Sequence, residues 1–158
     1  MTLVGFRIDD RLLHGQVVEN WIEALHPRRI LVANDAAAKD PILAELYLAS
    51  LPPGVEIHVV PIHGAAALLR SAREPILLLV ASPADALALV EDGIELERIQ
   101  VGGLHHGPGR EQLLEFVYVG AEDRAALLAL LARGIALVAQ DVPRRHPIDL
   151  GPLLKSAR

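Results

Sequence analysis

Six residues able to do chemistry fall within nine positions of the chain: Arg7, Asp9, Asp10, Arg11, His14 and Gly15. An imidazole is a nucleophile and a proton carrier. Guanidiniums offer planar forked donors that match phosphate oxygens. A carboxylate bonded to one ring nitrogen fixes the tautomer of the other. A glycine lets the backbone come close to an anion. Together these parts suit a histidine that accepts a phosphoryl group and hands it on, a reaction that depends on positioning and on stabilising spread negative charge. Plainer roles are open to the same residues. Asp9 and Asp10 are also turn or helix caps by type, and a histidine at a helix start is also a cap or surface residue.

The elements on either side give the stretch its setting. The apolar run 3–6 predicts a buried strand over 3–8, and Val17, Val18, Trp21, Ile22 and Leu25 predict a helix over 15–25, ended by Pro27. His14 then lies at a helix N-terminus, where free N–H groups favour an anion. A charged loop between strand and helix sits at the carboxyl edge of a sheet, where open α/β folds bind ligands.

Further strands are expected at 30–33, 55–60, 75–80, 99–101, 114–119 and 135–139, with that at 55–60 nearer an edge. Helices are expected at 41–51 with Asp40 as N-cap, 65–71, 84–91 behind Ser82-Pro83, and 121–133, with a short final helix near Asp149. Strands apolar on both faces and alternating with helices predict a three-layer α/β/α fold with a mostly parallel sheet of six to seven strands. No repeat or linker divides residues 1–158, so a single domain is expected. The sequence also places Asp35, His63-Gly64 and Gly102-Gly103 at strand ends, and so on the rim of the same site.

Composition removes several function classes. Aromatics make up 3% of the 158 residues and the formal charge is −5, which argues against a nucleic-acid partner. With no cysteine, disulfides and thiolate chemistry are excluded. The N-terminus lacks a signal-peptide pattern, and the longest apolar run, 76–81, is far short of the roughly 20 residues that span a bilayer. A cytoplasmic protein is expected. His105-His106 with His58 or His63 makes no convincing metal site, because adjacent histidines point apart and no carboxylate has ligand spacing; neither a metal nor a cofactor is expected. Gly102-Gly103 lacks the glycine triplet of a dinucleotide site. A histidine phosphatase needs arginine directly before the His-Gly pair, and Leu13 stands there.

The string Arg7-Ile8-Asp9-Asp10-Arg11-Leu12-Leu13-His14-Gly15-Gln16-Val17, followed by Trp21, closely resembles the start of the enzyme IIB domain of the mannose-type (mannose/fructose/sorbose) sugar phosphotransferase system. Asn34-Asp35 to Lys39-Asp40, Pro52-Pro53-Gly54-Val55, Pro83 to Gly93, Val101-Gly102-Gly103-Leu104-His105, Gly134, Gln140 and Val142-Pro143 extend the resemblance over nearly the full length. Ser82, Gln100, His106 and the Pro108-Gly109-Arg110 turn depart from the family's usual residues.

The resemblance implies a single IIB-type phosphocarrier with strand one near the middle of its sheet. It implies that His14 is phosphorylated on Nδ1 by a IIA domain, and that a IIC/IID membrane permease holds the final acceptor, a sugar of the mannose/fructose/sorbose class. The protein would then associate peripherally with the inner face of the membrane. Carried to matching positions, Arg7 and Arg11 hold the phosphoryl group, Asp9 or Asp10 orients the ring, and Gly15 and Gln16 complete the loop. A stand-alone regulatory phosphoacceptor is the alternative. The rim is expected to expose apolar and arginine side chains, with Leu104 a candidate and Trp21 either there or packed under the first helix.

Overall fold

The computed structural model describes residues 3–156. Its main sheet has seven strands: β1 (Leu3–Asp9), β2 (Arg29–Ala33), β3 (Glu56–Val60), β4 (Ile76–Val80), β5 (Arg98–Gly103), β8 (Ala136–Ala139) and β9 (Ile148–Asp149), in the order β3-β2-β4-β1-β5-β8-β9. All neighbours pair parallel except β9, which runs antiparallel to β8. β6 (Glu111–Leu114) and β7 (Val117–Val119) form a separate hairpin. The helices are α1 (Ile22–Leu25), α2 (Asp35–Ala38), α3 (Pro41–Ser50), α4 (Ala65–Ser71), α5 (Pro83–Glu91), α6 (Ala121–Ala132) and α7 (Gly151–Lys155).

Two apolar layers sandwich the sheet, and β4 explains why. All five of its residues are buried. Leu77 and Leu79 face α1, α2 and α3 with Trp21, Val32 and Tyr47. Ile76, Leu78 and Val80 face the opposite layer with Leu69, Leu89 and Leu127 from α4, α5 and α6. A strand covered on both sides must be apolar at every position. Each such aliphatic side chain contributes about 1.5–3 kcal/mol by burial. The expected three-layer α/β/α architecture holds, with β1 in the middle and β3 at an edge.

Several expectations need revision. The run 114–119 is no strand of the main sheet; it folds back at Glu115-Phe116 into the β6–β7 hairpin, joined to the sheet's end only by a Leu104–Val117 bridge. The seventh sheet strand is instead β9, two residues long. Residues after β2 wind into α2, capped by the Asn34 side chain on Ala37 N–H at 2.8 Å. The first helix carries a π-helical stretch, Val17–Trp21, before α1. Two other caps fall as expected. Asp40 accepts from Ile42 and Leu43, and Ser82 accepts from Asp85; Asp149, expected to cap the final helix, instead lies one residue before its N-cap Leu150 and accepts from Gly151 N–H.

Topology sets the site's place. The chain leaves β1 toward the α1 layer and leaves β5 toward the hairpin and α6. Connections departing neighbouring strands in opposite directions open a crevice at their carboxyl ends. Among the described residues no helix is long and apolar enough to cross a membrane.

Candidate functional site

Alternation along β1 puts Gly5, Arg7 and Asp9 on one face and Phe6 and Ile8 on the other. Phe6 and Ile8 enter the larger apolar layer. Arg7 and Asp9 point into the narrow space beneath the loop that follows, and both are buried, at 1% and 0% exposure. Asp9 also directs that loop. Its carbonyl accepts from Leu12 N–H at 2.9 Å, and its carboxylate accepts from Arg11 N–H at 3.1 Å. The turn places Leu12 in the left-handed region, at φ 57°.

The carboxylate of Asp9 is the hub of the site. Arg11 reaches it through Nε at 3.3 Å and Nη2 at 3.4 Å, and Arg7 through Nη2 at 3.4 Å. His14 Nε2 lies 3.6 Å from Asp9 Oδ2. The other ring nitrogen, Nδ1, is 2.8 Å from the Leu12 carbonyl. The loop is open to solvent at the next residue, since Gly15 is exposed and a side chain there would meet nothing within 4 Å. Gln16 Oε1 accepts from Arg11 Nη2 at 3.0 Å and so steadies the guanidinium at the loop's outer side.

The two arginines, expected as one clamp, occupy different levels. Arg11 is 39% exposed and faces solvent beside His14. Arg7 lies underneath. It donates to the carbonyls of Gln140 at 2.8 Å and Asp141 at 2.9 Å and to Gln100 Oε1, and its guanidinium sits 5.0 Å from the Trp21 ring centroid. Burial pulls its pKa down to about 10, with the nearby Asp9 acting in the opposite sense. The opposite side of the guanidinium lies against Gly102, where an added Cβ would come within 2.0 Å of it. Pairing of β1 with β5 slips between Ile8 and Asp9, which pair with Val101 and Gly103, so Gly102 is the extra residue that makes this room. Gly103 fits under the loop itself, its carbonyl accepting from Asp10 N–H at 3.1 Å.

The two aspartates also separate. Asp10 turns away from His14 to the β5–β6 loop, taking His105 N–H at 2.8 Å on one oxygen and the His105 ring on the other. Of the three rim residues outside the two glycines' strand, none is bonded to the His14 loop. Asp35 accepts from Ile62 N–H at 2.9 Å, and His63 pairs with Asp92 at 2.8 Å, with Gly64 following it into α4. Trp21 and Leu104 are core residues, at 4% and 1% exposure, so neither forms an exposed apolar rim. A cleft of about 200 Å³ opens beside the loop, walled by Arg11, Gln16, His105, Phe116, Tyr118 and Asp141.

Gln100, Gln140 and Trp21 enter the sequence reading without a role beneath the site, and Asp141 does not enter it; the structure joins the four in one supporting layer. Trp21 Nε1 donates to the Asp141 carbonyl at 2.8 Å, and Gln140 ties down the following loop through the carbonyls of Pro143 and Arg145. The available signal was positional: a glutamine sits in β5 and another closes β8, each beside apolar runs. Among the described residues no group of His, Asp or Glu is arranged to hold a metal ion.

A nucleophilic ring over a buried carboxylate, flanked by one accessible guanidinium, is an arrangement for receiving a phosphoryl group. Known proteins agree with that chemistry. The family model "PTS system sorbose subfamily IIB component" matches residues 3–158. The N-acetylgalactosamine-specific phosphotransferase enzyme IIB component 2 of Escherichia coli is 37% identical over 96% of this chain and 98% of its own. The mannose-specific EIIAB component of the same organism is 36% identical, and this chain spans 46% of its length. The IIBSor domain of the Klebsiella pneumoniae sorbose permease superposes with a TM-score of 0.91 at 29% identity, covering 98% of this chain and 96% of that one. The chain therefore belongs to the sorbose subfamily of phosphotransferase-system IIB components, which transfer phosphate from IIA to a sugar together with IIC and IID.

Proposed function

We propose that His14 is the residue that carries the phosphoryl group, with Arg11 as its clamp and Asp9 as the group that orients the ring. The observation that carries this is the stack at the end of β1: a 15%-exposed imidazole directly above a fully buried carboxylate held by two guanidiniums. Arg7 acts from below, fixing Asp9 and the end of β8. Asp10, through His105, holds the β5–β6 loop against the site, and Gly15 and Gln16 keep the approach to the ring open and Arg11 in place.

The protein acts as one IIB unit. It receives its phosphoryl group from a phosphohistidine on a IIA domain and delivers it to a sugar of the mannose/fructose/sorbose class held by a IIC/IID membrane permease, docking on the inner face of the membrane to do so. The bundled IIA partner in the mannose-specific relative supports the first half of this sequence. Incubation with phosphorylated IIA domains of this class, followed by mass spectrometry, tests it. The expected label is single, acid-labile, alkali-stable and absent from His14→Ala. A label that survives that substitution removes His14 from the role.

A further inference from the structure

We propose that Leu12 is a positioning residue for this transfer. Its left-handed backbone holds a carbonyl against His14 Nδ1, which keeps that nitrogen protonated and withheld until the phosphodonor docks. The inference rests on His14 being the phosphoacceptor.

The two ring nitrogens face different partners. A carbonyl oxygen only accepts, so Nδ1, 2.8 Å from the Leu12 oxygen, carries a proton and donates it. The neutral ring then has its lone pair on Nε2. That nitrogen is buried, has no hydrogen-bond partner and lies 3.6 Å from Asp9 Oδ2. Phosphorus must approach along the lone pair of its attacker. At Nε2 that line runs into the Asp9 carboxylate, which would meet the incoming phosphoryl group charge to charge. The nitrogen with the free lone pair is thus the one that cannot react, and the other is masked by the Leu12 carbonyl.

Reaction requires the tautomers to exchange. The Nδ1 proton leaves to solvent and, as the ring swings and uncovers Nε2, a solvent proton is taken up there; Nε2–H then donates a hydrogen bond to Asp9 Oδ2. The ring turns away from the Leu12 carbonyl, because two acceptors now face each other. The Nδ1 lone pair then attacks the phosphorus of the donor phosphohistidine. The donor P–N bond breaks, its electron pair stays on the donor nitrogen, and a P–Nδ1 bond forms. The ring's positive charge rests on Nε2–H beside Asp9.

Leu12 is unusual enough to carry this role. It and His26 are the non-glycine residues with positive φ among the described residues, and His26 merely ends α1. Leucine is strained in this region, where glycine is not. The side chain, 7% exposed and packed with Leu13, Val17 and Trp21, holds the strained backbone in place. Strain confined to the residue beside the reacting group, and paid by its packing, is what an element poised to release looks like.

Long-range proton–nitrogen NMR of the full chain with labelled histidine tests the proposal. The expected spectrum shows His14 as the Nδ1–H tautomer before phosphorylation, and as Nδ1-phosphorylated with Nε2–H afterwards. Leu12→Gly, which frees the direction of the carbonyl, is expected to shift the resting ring from Nδ1–H to a mixture of tautomers. Leu12→Asn loses the same packing but tolerates the left-handed region, and is expected to keep Nδ1–H. An Nε2–H resting tautomer in the unsubstituted protein, or equal tautomer populations in the two variants, overturns the proposal while leaving a labelled His14 intact. A His14 that takes no label from phosphorylated IIA overturns the phosphoacceptor reading instead.

Discussion

The loop after β1 and the loop after β3 begin from the same local pattern. Each follows a parallel strand, carries a His-Gly pair, leads into a helix and sets its histidine near an aspartate. Their surroundings differ. His63 is 77% exposed, and its partner Asp92 is 29% exposed, so water competes for both ends of the pair. His14 is 15% exposed above an Asp9 at 0%, and that carboxylate is held by Arg7 and Arg11 as well. The His-Gly pair is therefore a weak signal by itself. What separates the two loops is a buried carboxylate paired with cations from two levels of the fold.

The sharpest way to break this comparison is to remove each histidine in turn. His14→Ala is expected to abolish labelling by phosphorylated IIA, and His63→Ala to leave it complete, as read by mass spectrometry. Comparable loss from both would make the two loops functionally alike. Next in size is Arg7→Met. It strips the buried Asp9 of one cation, takes the Arg7 donor from the Gln140 carbonyl and leaves the Asp141 carbonyl with Trp21 Nε1, so a stability loss of about 3–5 kcal/mol is expected in urea denaturation. A stable variant that only transfers slowly would move Arg7 from the floor of the site to the phosphate itself. Arg11→Ala sharpens the same contrast from above. It is expected to cost the transfer step about 1.5–3 kcal/mol, roughly a ten- to hundredfold slower rate, with little change in the denaturation midpoint.

The smallest effect belongs to the β3 loop. The hydrogen bond to Asp92, followed by its charge, raises the His63 pKa above the ordinary 6.5. A raised value means that the folded protein binds the proton more tightly than the unfolded chain. The pair therefore contributes stability below about pH 6.5 and loses it as pH climbs through the raised value. An NMR titration is expected to show the elevated midpoint, and Asp92→Asn to bring it back toward 6.5. An unchanged midpoint in Asp92→Asn would remove the pairing as its cause.

Much of the frame was legible in the chain because burial on both faces of a parallel strand writes itself as an unbroken apolar run, as at Ile76 to Val80. The same signal misled at 114–119. Leu114 and Val117-Tyr118-Val119 read as one strand because the turn at Glu115-Phe116 contains no glycine or proline to mark it. β9 is too short to show any period, and its partner β8 already looks like a finished strand. At the site, residue types pointed to phosphoryl chemistry, but they did not sort the pairs. Asp9 and Asp10 are adjacent, and the last residue of a strand and the first of a loop meet different surroundings. Arg7 and Arg11 are equally suited to phosphate by type. Only the slipped register that leaves Gly102 unpaired makes a slot for Arg7 beneath the sheet's end. The left-handed Leu12 had no signal at all, since leucine is not a residue whose presence announces that conformation.

The brevity of β9 has a consequence for the edge of the sheet. Two residues are enough to occupy the free side of β8, and α7 follows at once. A strand this short offers a neighbouring molecule almost no ladder to extend. Shortening the chain before Ile148 would uncover the side of β8 that β9 now takes, at Val138 and Ala139, and open their donors and acceptors. The last residues of the sheet thus take up the side of β8 on which another chain would pair.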